Sequence, residues 1–205
     1  MEHGERFNSI SHLIGAGLAL AGGSALVVLA ARIGDPWKIV SFSIYAAMLF
    51  ALYLFSSLYH GTRGRAKAVL QKFDHCSIYL LIAGSYTPFA LVSLRGAWGW
   101  SLLGVVWGLA IVGLVQELWL ASGARMLSMA IYLVMGWLAL VAAWPLWIAL
   151  EPEGFAWLLA GGMLYTAGIV FYVRDRTVRH GHGIWHLFVM AGSGSHFVAV
   201  MYFVN

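Results

Sequence analysis

Charge is what this sequence has least of. Its 205 residues include only twelve basic and eight acidic side chains, 10% of the total, where a soluble domain carries about 25%. A chain of this length could bury a sizeable core, yet it would still need a polar surface, and so few charges cannot cover one. A soluble globular protein is therefore nearly excluded, as is a disordered chain. Cysteine is almost absent too. Cys76 is the only one, so no intramolecular disulfide can form and a secreted disulfide scaffold is ruled out. No basic domain exists to grip a nucleic acid, although the net charge is +4. There is no linker, no low-complexity segment and no convincing internal repeat, so residues 1–205 read as a single domain.

What fills the chain is apolar sequence: 61% of residues are hydrophobic, with a mean hydropathy of +0.83. About 20 apolar residues cross the ~30 Å hydrocarbon layer as a helix, so seven crossings use roughly 140. Seven apolar runs are present, at 13–31, 39–59, 77–94, 98–120, 126–150, 155–173 and 184–204, each bounded by a charged or turn-forming cluster. Their continuous hydrophobicity, without period-2 alternation, predicts helices and not a β-barrel. The fold class expected is an all-α integral membrane protein, a seven-transmembrane-helix bundle. Pro88 and Pro145 lie within or near the ends of runs, where neighbouring helices can satisfy the freed carbonyls.

Orientation follows from Lys and Arg. A cytoplasmic N-terminus puts Arg6, Arg63, Arg65, Lys67, Lys72, Arg125, Arg174, Arg176 and Arg179 inside and leaves Arg32, Lys38 and Arg95 outside, nine against three. The C-terminus is then outside, and the multi-pass chain is expected in a bacterial inner or plasma membrane. The first run is not a cleaved signal peptide on this reading, because Glu2 and Glu5 offset Arg6 in front of it. Several tryptophans (Trp37, Trp98, Trp119, Trp144 and Trp157 among them) fall near run ends as an aromatic belt. The Gly22-Gly23, Gly161-Gly162 and Gly192/Gly194 pairs lie inside apolar runs, where close helix packing explains them better than phosphate binding.

Ionisable side chains inside a membrane point to function. His60 closes the second run, Asp74 stands just before the third, and His182 and His186 open the seventh. Parity of crossing alone delivers all four to the cytoplasmic leaflet, from three helices. His182 and His186 are spaced i, i+4, one turn apart on one helical face. Two such imidazoles can chelate a metal, although the Glu of a H-E-x-x-H motif is missing. His60 would be a third nitrogen ligand, leaving the fourth tetrahedral position to water, as in catalytic zinc sites. Asp74 is the available general base, and Ser56, one turn before His60, can hydrogen-bond that water. Taken singly, an interfacial histidine is commonly a satisfied polar residue, and Asp74 could complement a helix dipole. Four at one depth call for a common explanation. His196, ten residues past His186, is roughly 15 Å deeper and is expected to bond a neighbouring helix. His75, about 100° round the helix from Asp74, is expected to point elsewhere. Glu117 suits a bundle-facing or an interfacial position equally, and His3 and His180 read as exposed.

These residues resemble a bacterial member of the progestin and adipoQ receptor (PAQR) superfamily, the hemolysin III group. Three motifs carry the resemblance: Glu5-x-x-Asn8-x-x-x-His12 before the first run, Ser56-x-x-x-His60 followed by Asp74, and His182-x-x-x-His186. The stretch from Asp74 to Phe89 also reads like the third span of the bacterial branch. The resemblance implies a seven-helix bundle with a zinc ion near the cytoplasmic leaflet. Its ligands would be His60, His182 and His186, with Asp74 and Ser56 contacting the water there. The spacing from His60 to Asp74 is shorter than in the eukaryotic receptors, and His75 stands where they have tyrosine, so adiponectin or steroid sensing does not carry over.

Three functions compete. The first is zinc-dependent hydrolysis of a lipid amide or ester, ceramidase-like, serving membrane lipid homeostasis. The second is a non-enzymatic receptor or homeostasis protein in which zinc staples helices. The third is cytolysis, the group's namesake, ranked lowest because a multi-span protein made in its own membrane has no soluble form with which to attack another cell. Membrane lipids are the expected partners in each case.

Overall fold

The computed structural model describes residues 4–120 and 126–205. Glu2, His3 and the 121–125 connection with Arg125 lie outside the described residues. Among the described residues there is no strand. The helices are α1 (Arg6–Ile33), α2 (Pro36–Gly61), α3 (Arg65–Pro88), α4 (Ala97–Val115), α5 (Met126–Trp137), α6 (Ala143–Val173) and α7 (Gly181–Phe203). Local chemistry sets the ends. At the α1–α2 corner Gly34 takes a left-handed φ of 77° and returns its amide to Ala30. Asp35 then caps α2 by accepting from the Trp37 amide at 2.8 Å, with Pro36 at the first helical position. Pro88 has no amide hydrogen to give, and beyond it Phe89–Ser93 widens into a π-helical turn closed by Leu94 N–H donating to the Phe89 carbonyl.

Six helical stretches are long and apolar enough to cross a membrane. The longest, Met126–Val173, has 48 residues, which as a straight helix would extend about 72 Å, more than twice the hydrocarbon thickness. It is not straight. Glu151 leaves the helical region at φ 57°, ψ 167°, in front of Pro152, whose ring disfavours helical geometry in the residue before it. The chain folds back there: the rings of Trp147 and Phe155 meet 5.5 Å apart, and Trp137 Nε1 donates to Thr166 Oγ1 at 3.0 Å across 29 residues of sequence. The turn falls inside the 151–154 cluster that separates the fifth and sixth apolar runs.

Two boundaries differ from the sequence expectation and matter for the site. α3 starts at Arg65, not at 77, and α1 at Arg6, not at 13. Ala66, Lys67, Ala68, Leu70, Gln71 and Lys72 are good helix formers, so α3 continues past its apolar run into its charged end. Asp74 and His75 are therefore interior helical residues, as is His12.

α1 packs along α2, α2 along α3 and α6 along α7, and α1 also packs against α7. α3 is the most enclosed, with 72% of its apolar window buried against 17–39% in the other five stretches. It is the central helix. Tyr45, Tyr79, Leu26, Met135, Leu146 and Val200 are among the fully buried side chains. Leu18, Ile111, Val141, Trp144 and Tyr202 stand outward. Apolar groups on the outer face would be a liability in water and are what a lipid-facing surface requires. Of the intramembrane glycines, Gly23 shows the expected close packing: a Cβ there would lie 2.8 Å from that of Ala46 on α2. Gly194 does not, since nothing approaches it within 4 Å.

Candidate metal centre

The end of α2 and the first turns of α7 bring three imidazoles together. His60, His182 and His186 each offer a ring nitrogen, and these atoms all lie within 4.8 Å of one another. The ring centroids are 4.8 to 5.0 Å apart. His60 and His186 are buried and His182 is half-buried. The i, i+4 spacing on α7 supplies one pair, and the packing of α1 against both α2 and α7 holds that pair against His60.

The surroundings fix two of the rings by their Nδ1 edges. His60 Nδ1 pairs with the Glu5 carboxylate. His186 Nδ1 lies 3.1 Å from the Asn8 carbonyl and 3.2 Å from Ser11 Oγ. His182 Nδ1 is 4.0 Å from Asp175 Oδ2. The opposite nitrogens, Nε2 of His60 and of His186, are buried and make no hydrogen bond to the protein. Buried nitrogens in that condition are uncommon. Rings held through Nδ1 by carboxylate or carbonyl, with Nε2 pointed at a common centre, are how metal-binding histidines are oriented. The residues present fit a metal ion, and these three histidines could bind one.

Glu5 is the main electrostatic element at the mouth. It is held by His60, by Asn8 Nδ2 at 3.0 Å and by Lys67 Nζ at 3.3 Å. The hydrogen bond from His60 pulls its carboxyl down to about 2, against the opposing effect of burial. Glu5 and Asn8 belong to a motif that the sequence offered without assigning it a job. Their job here is to hold His60 and His186. Ser9 fastens α1 beside them: Ser9 Oγ donates to the Ser57 carbonyl and Ser57 Oγ to the Ser9 carbonyl, both at 3.1 Å.

The histidines stand between two spaces. On one side is an open mouth lined by Glu5, Asn8, Tyr59, His60, Asp175 and His182. On the other is a cavity of about 140 Å³, mostly apolar, whose wall includes Ser56, Asp74 and His12 beside Ile78, Ile82 and Val189. His12 stacks on His186 with ring centroids 3.5 Å apart, and both its ring nitrogens are buried. The structure thus puts Ser56 and Asp74 on the wall of one cavity, with the three histidines clustered beside it.

His75 points away from the site, as expected, and Glu117 takes the bundle-facing one of its two expected positions. His75 Nδ1 lies 2.7 Å from Glu117 Oε1, and its Nε2 is 4.0 Å from Asp74 Oδ2. Glu117 also accepts from Ser128 Oγ at 3.2 Å. Both are buried, and they join α3, α5 and the π-helical turn Gln116–Leu120 that follows α4, close to Asp74. A 100° offset turns His75 towards α4 instead of the site, and only the position of α4 shows what it meets there. His196 bonds a neighbouring helix as expected, through Nε2 to the Leu158 carbonyl at 3.1 Å. His180 is exposed.

A bundle of apolar helices with a three-histidine cluster that could hold a metal ion defines a class: polytopic helical membrane proteins. Comparison with known proteins narrows it. Residues 1–197 match the family model described as "Haemolysin-III related". The chain is 42% identical over 197 residues to the "Hemolysin-3 homolog" of Bacillus subtilis (strain 168), covering 96% of this chain and 92% of that one. It is 41% identical over 198 residues to "Hemolysin-3" of Bacillus cereus, covering 96% and 90%. A more distant similarity, 27% over 173 residues, covers 81% of this chain and 71% of the Homo sapiens "Monocyte to macrophage differentiation factor". The chain belongs to the haemolysin-III related family, and it is a multi-pass bacterial membrane protein.

Proposed function

We propose that this protein is a zinc-dependent hydrolase of a lipid amide or ester, acting in membrane lipid homeostasis from a site near the cytoplasmic leaflet. One observation carries the reading: a metal-competent histidine cluster stands next to an apolar cavity whose few polar wall groups include Asp74 and Ser56. Three histidines are the protein ligands expected of a catalytic zinc, one position being left open. Zinc, when bound, polarises a carbonyl and makes water a better nucleophile near neutral pH. Asp74 takes the proton from the attacking water and returns it to the departing amine or alcohol, while Ser56 holds the water by a hydrogen bond. The water oxygen joins the carbonyl carbon as the C–N or C–O bond breaks. His12, on the cavity wall, offers a hydrogen bond to the lipid head. The acyl chain lies against the apolar wall.

The proposed topology has seven crossings, with the N-terminus cytoplasmic. The reversal at Glu151 supports it by dividing Met126–Val173 into two membrane-length segments, and the basic residues at alternate ends support the orientation. The decisive experiment is metal analysis of the purified protein together with product release from lipid extracts. Wild type should contain about one zinc per chain and release fatty acid. His186→Ala should lose both, and Asp74→Asn should keep zinc while losing turnover. Turnover that persists without metal would refute the proposal. Loss of thermal stability on zinc removal, with no product from any lipid, would favour a structural staple joining α2 and α7.

A further inference from the structure

The cavity beside the histidines does not end in a purely apolar wall. A smaller space of about 40 Å³ shares Ser85, Tyr86, Trp137, Gly162 and His196 with it and continues to Leu146 and Phe155 near the Glu151 turn. His196 stands where the two meet. The other polar groups at that junction are accounted for. Tyr86 Oη bonds the Met135 and Gly136 carbonyls and accepts from the Ala139 amide. Ser85 Oγ donates to the Ile82 carbonyl. Thr166 Oγ1 donates to the Gly162 carbonyl and accepts from Trp137. His196 is different. Its Nε2 donates to Leu158, which leaves Nδ1 an acceptor, and Nδ1 is buried with no partner. The ring is fixed in this pose: its Cδ2–Nε2 edge rests on Gly161, where a Cβ would collide with it. Nδ1 is the vertex opposite that edge. Trp185, Val189 and His196, at i, i+4 and i+11, all line the same cavity from one face of α7.

A buried acceptor beside an apolar passage costs free energy unless a donor reaches it. We propose that this passage selects a hydroxylated acyl chain, with the chain hydroxyl donating to His196 Nδ1. This rests on the reading of the cavity as a lipid site and adds the class of lipid. His196 lies ten residues beyond His186, roughly 15 Å along the helix. An extended chain advances about 1.2 Å per bond, so the hydroxyl belongs about a dozen bonds from the head group. A hydroxyl next to the carboxyl cannot reach, and a plain chain leaves Nδ1 unpaired.

The test uses the full-length zinc-loaded protein in detergent, with displacement of a fluorescent fatty acid by stearate, 2-hydroxystearate and 12-hydroxystearate. The expected result is that 12-hydroxystearate displaces the probe at a concentration roughly five- to tenfold lower than either competitor, the value of one hydrogen bond to a buried acceptor. In His196→Phe the ratio between 12-hydroxystearate and stearate should fall to near one. The wild-type ratio needs no variant, so a folding failure in His196→Phe leaves the inference testable. Equal displacement by all three in wild type would overturn the inference, with water as the partner of Nδ1, and would leave the lipid site standing. Displacement by none would overturn the inference and the lipid reading with it.

Discussion

Glu5 is the most informative residue to perturb, because it lies outside the histidine cluster yet holds one of its members. Its carboxylate pairs with His60 Nδ1, accepts from Asn8 at 3.0 Å and lies 3.3 Å from Lys67. A carboxylate in that position fixes the ring and leaves its buried Nε2 free to ligate a metal ion. Loss of such a partner costs about 10–100-fold in metal affinity, or about 1.4–2.8 kcal/mol. Its side chain is 21% exposed, so solvent screens part of the charge. Glu5→Gln, which keeps an acceptor and loses only the charge, should therefore fall near the lower figure. Glu5→Ala loses both and should approach the upper one. Lys67→Met removes the partner of the other Glu5 oxygen, at 3.3 Å, and leaves the His60 pairing in place, so it should change affinity by no more than a few-fold. The assay is zinc competition against a chelator of known affinity on purified protein, with His186→Ala as the null. If Glu5→Ala binds zinc as tightly as wild type while His186→Ala does not bind, the argument that Glu5 orients a ligand is wrong.

Glu117→Ala should lower stability by about 1.5–3 kcal/mol, because it removes the buried carboxylate that His75 Nδ1 pairs with at 2.7 Å. An unchanged thermal midpoint in detergent would contradict that. Gly23→Ala pushes a methyl to 2.8 Å from the Ala46 Cβ, so α1 and α2 must separate at a cost of about 1–3 kcal/mol; wild-type stability would mean the helices accommodate it freely. With Cys76 replaced by serine, single cysteines at Arg65 and Arg174 should react with an impermeant thiol reagent only from the cytoplasmic side. Those at Arg95 and Glu153 should react only from outside, and labelling of Arg95 and Arg174 from the same side would refute the seven-crossing topology.

Much of the site was readable because polar groups are so scarce. In a chain with few charges, His60, Asp74, His182 and His186 stand out, and the parity of the apolar runs is enough to send them to one end. The 151–154 turn was readable for a similar reason, since Glu-Pro-Glu-Gly interrupts apolar sequence. The facing of individual side chains was not. α1, α4 and α6 are apolar nearly all round, so no polar stripe says which side looks inward. Glu117 therefore suited either environment until the end of α4 was seen to pack against α3 and α5, where His75 and Ser128 receive it.

Composition and order along the chain determined the solvent this protein lives in, its helical class and the end of the bundle where its chemistry collects. These depend on hydrophobicity and on counting crossings, both of which are local. Tertiary structure alone decided that Glu5 and Asn8, at the start of α1, hold the rings of α2 and α7, that His12 stacks on His186, and that His196, a residue lining the cavity, keeps an unpaired buried nitrogen. Each of these depends on how one helix is rotated against another, and in helices this uniformly apolar that rotation is set by packing between elements, not by a pattern within any one of them.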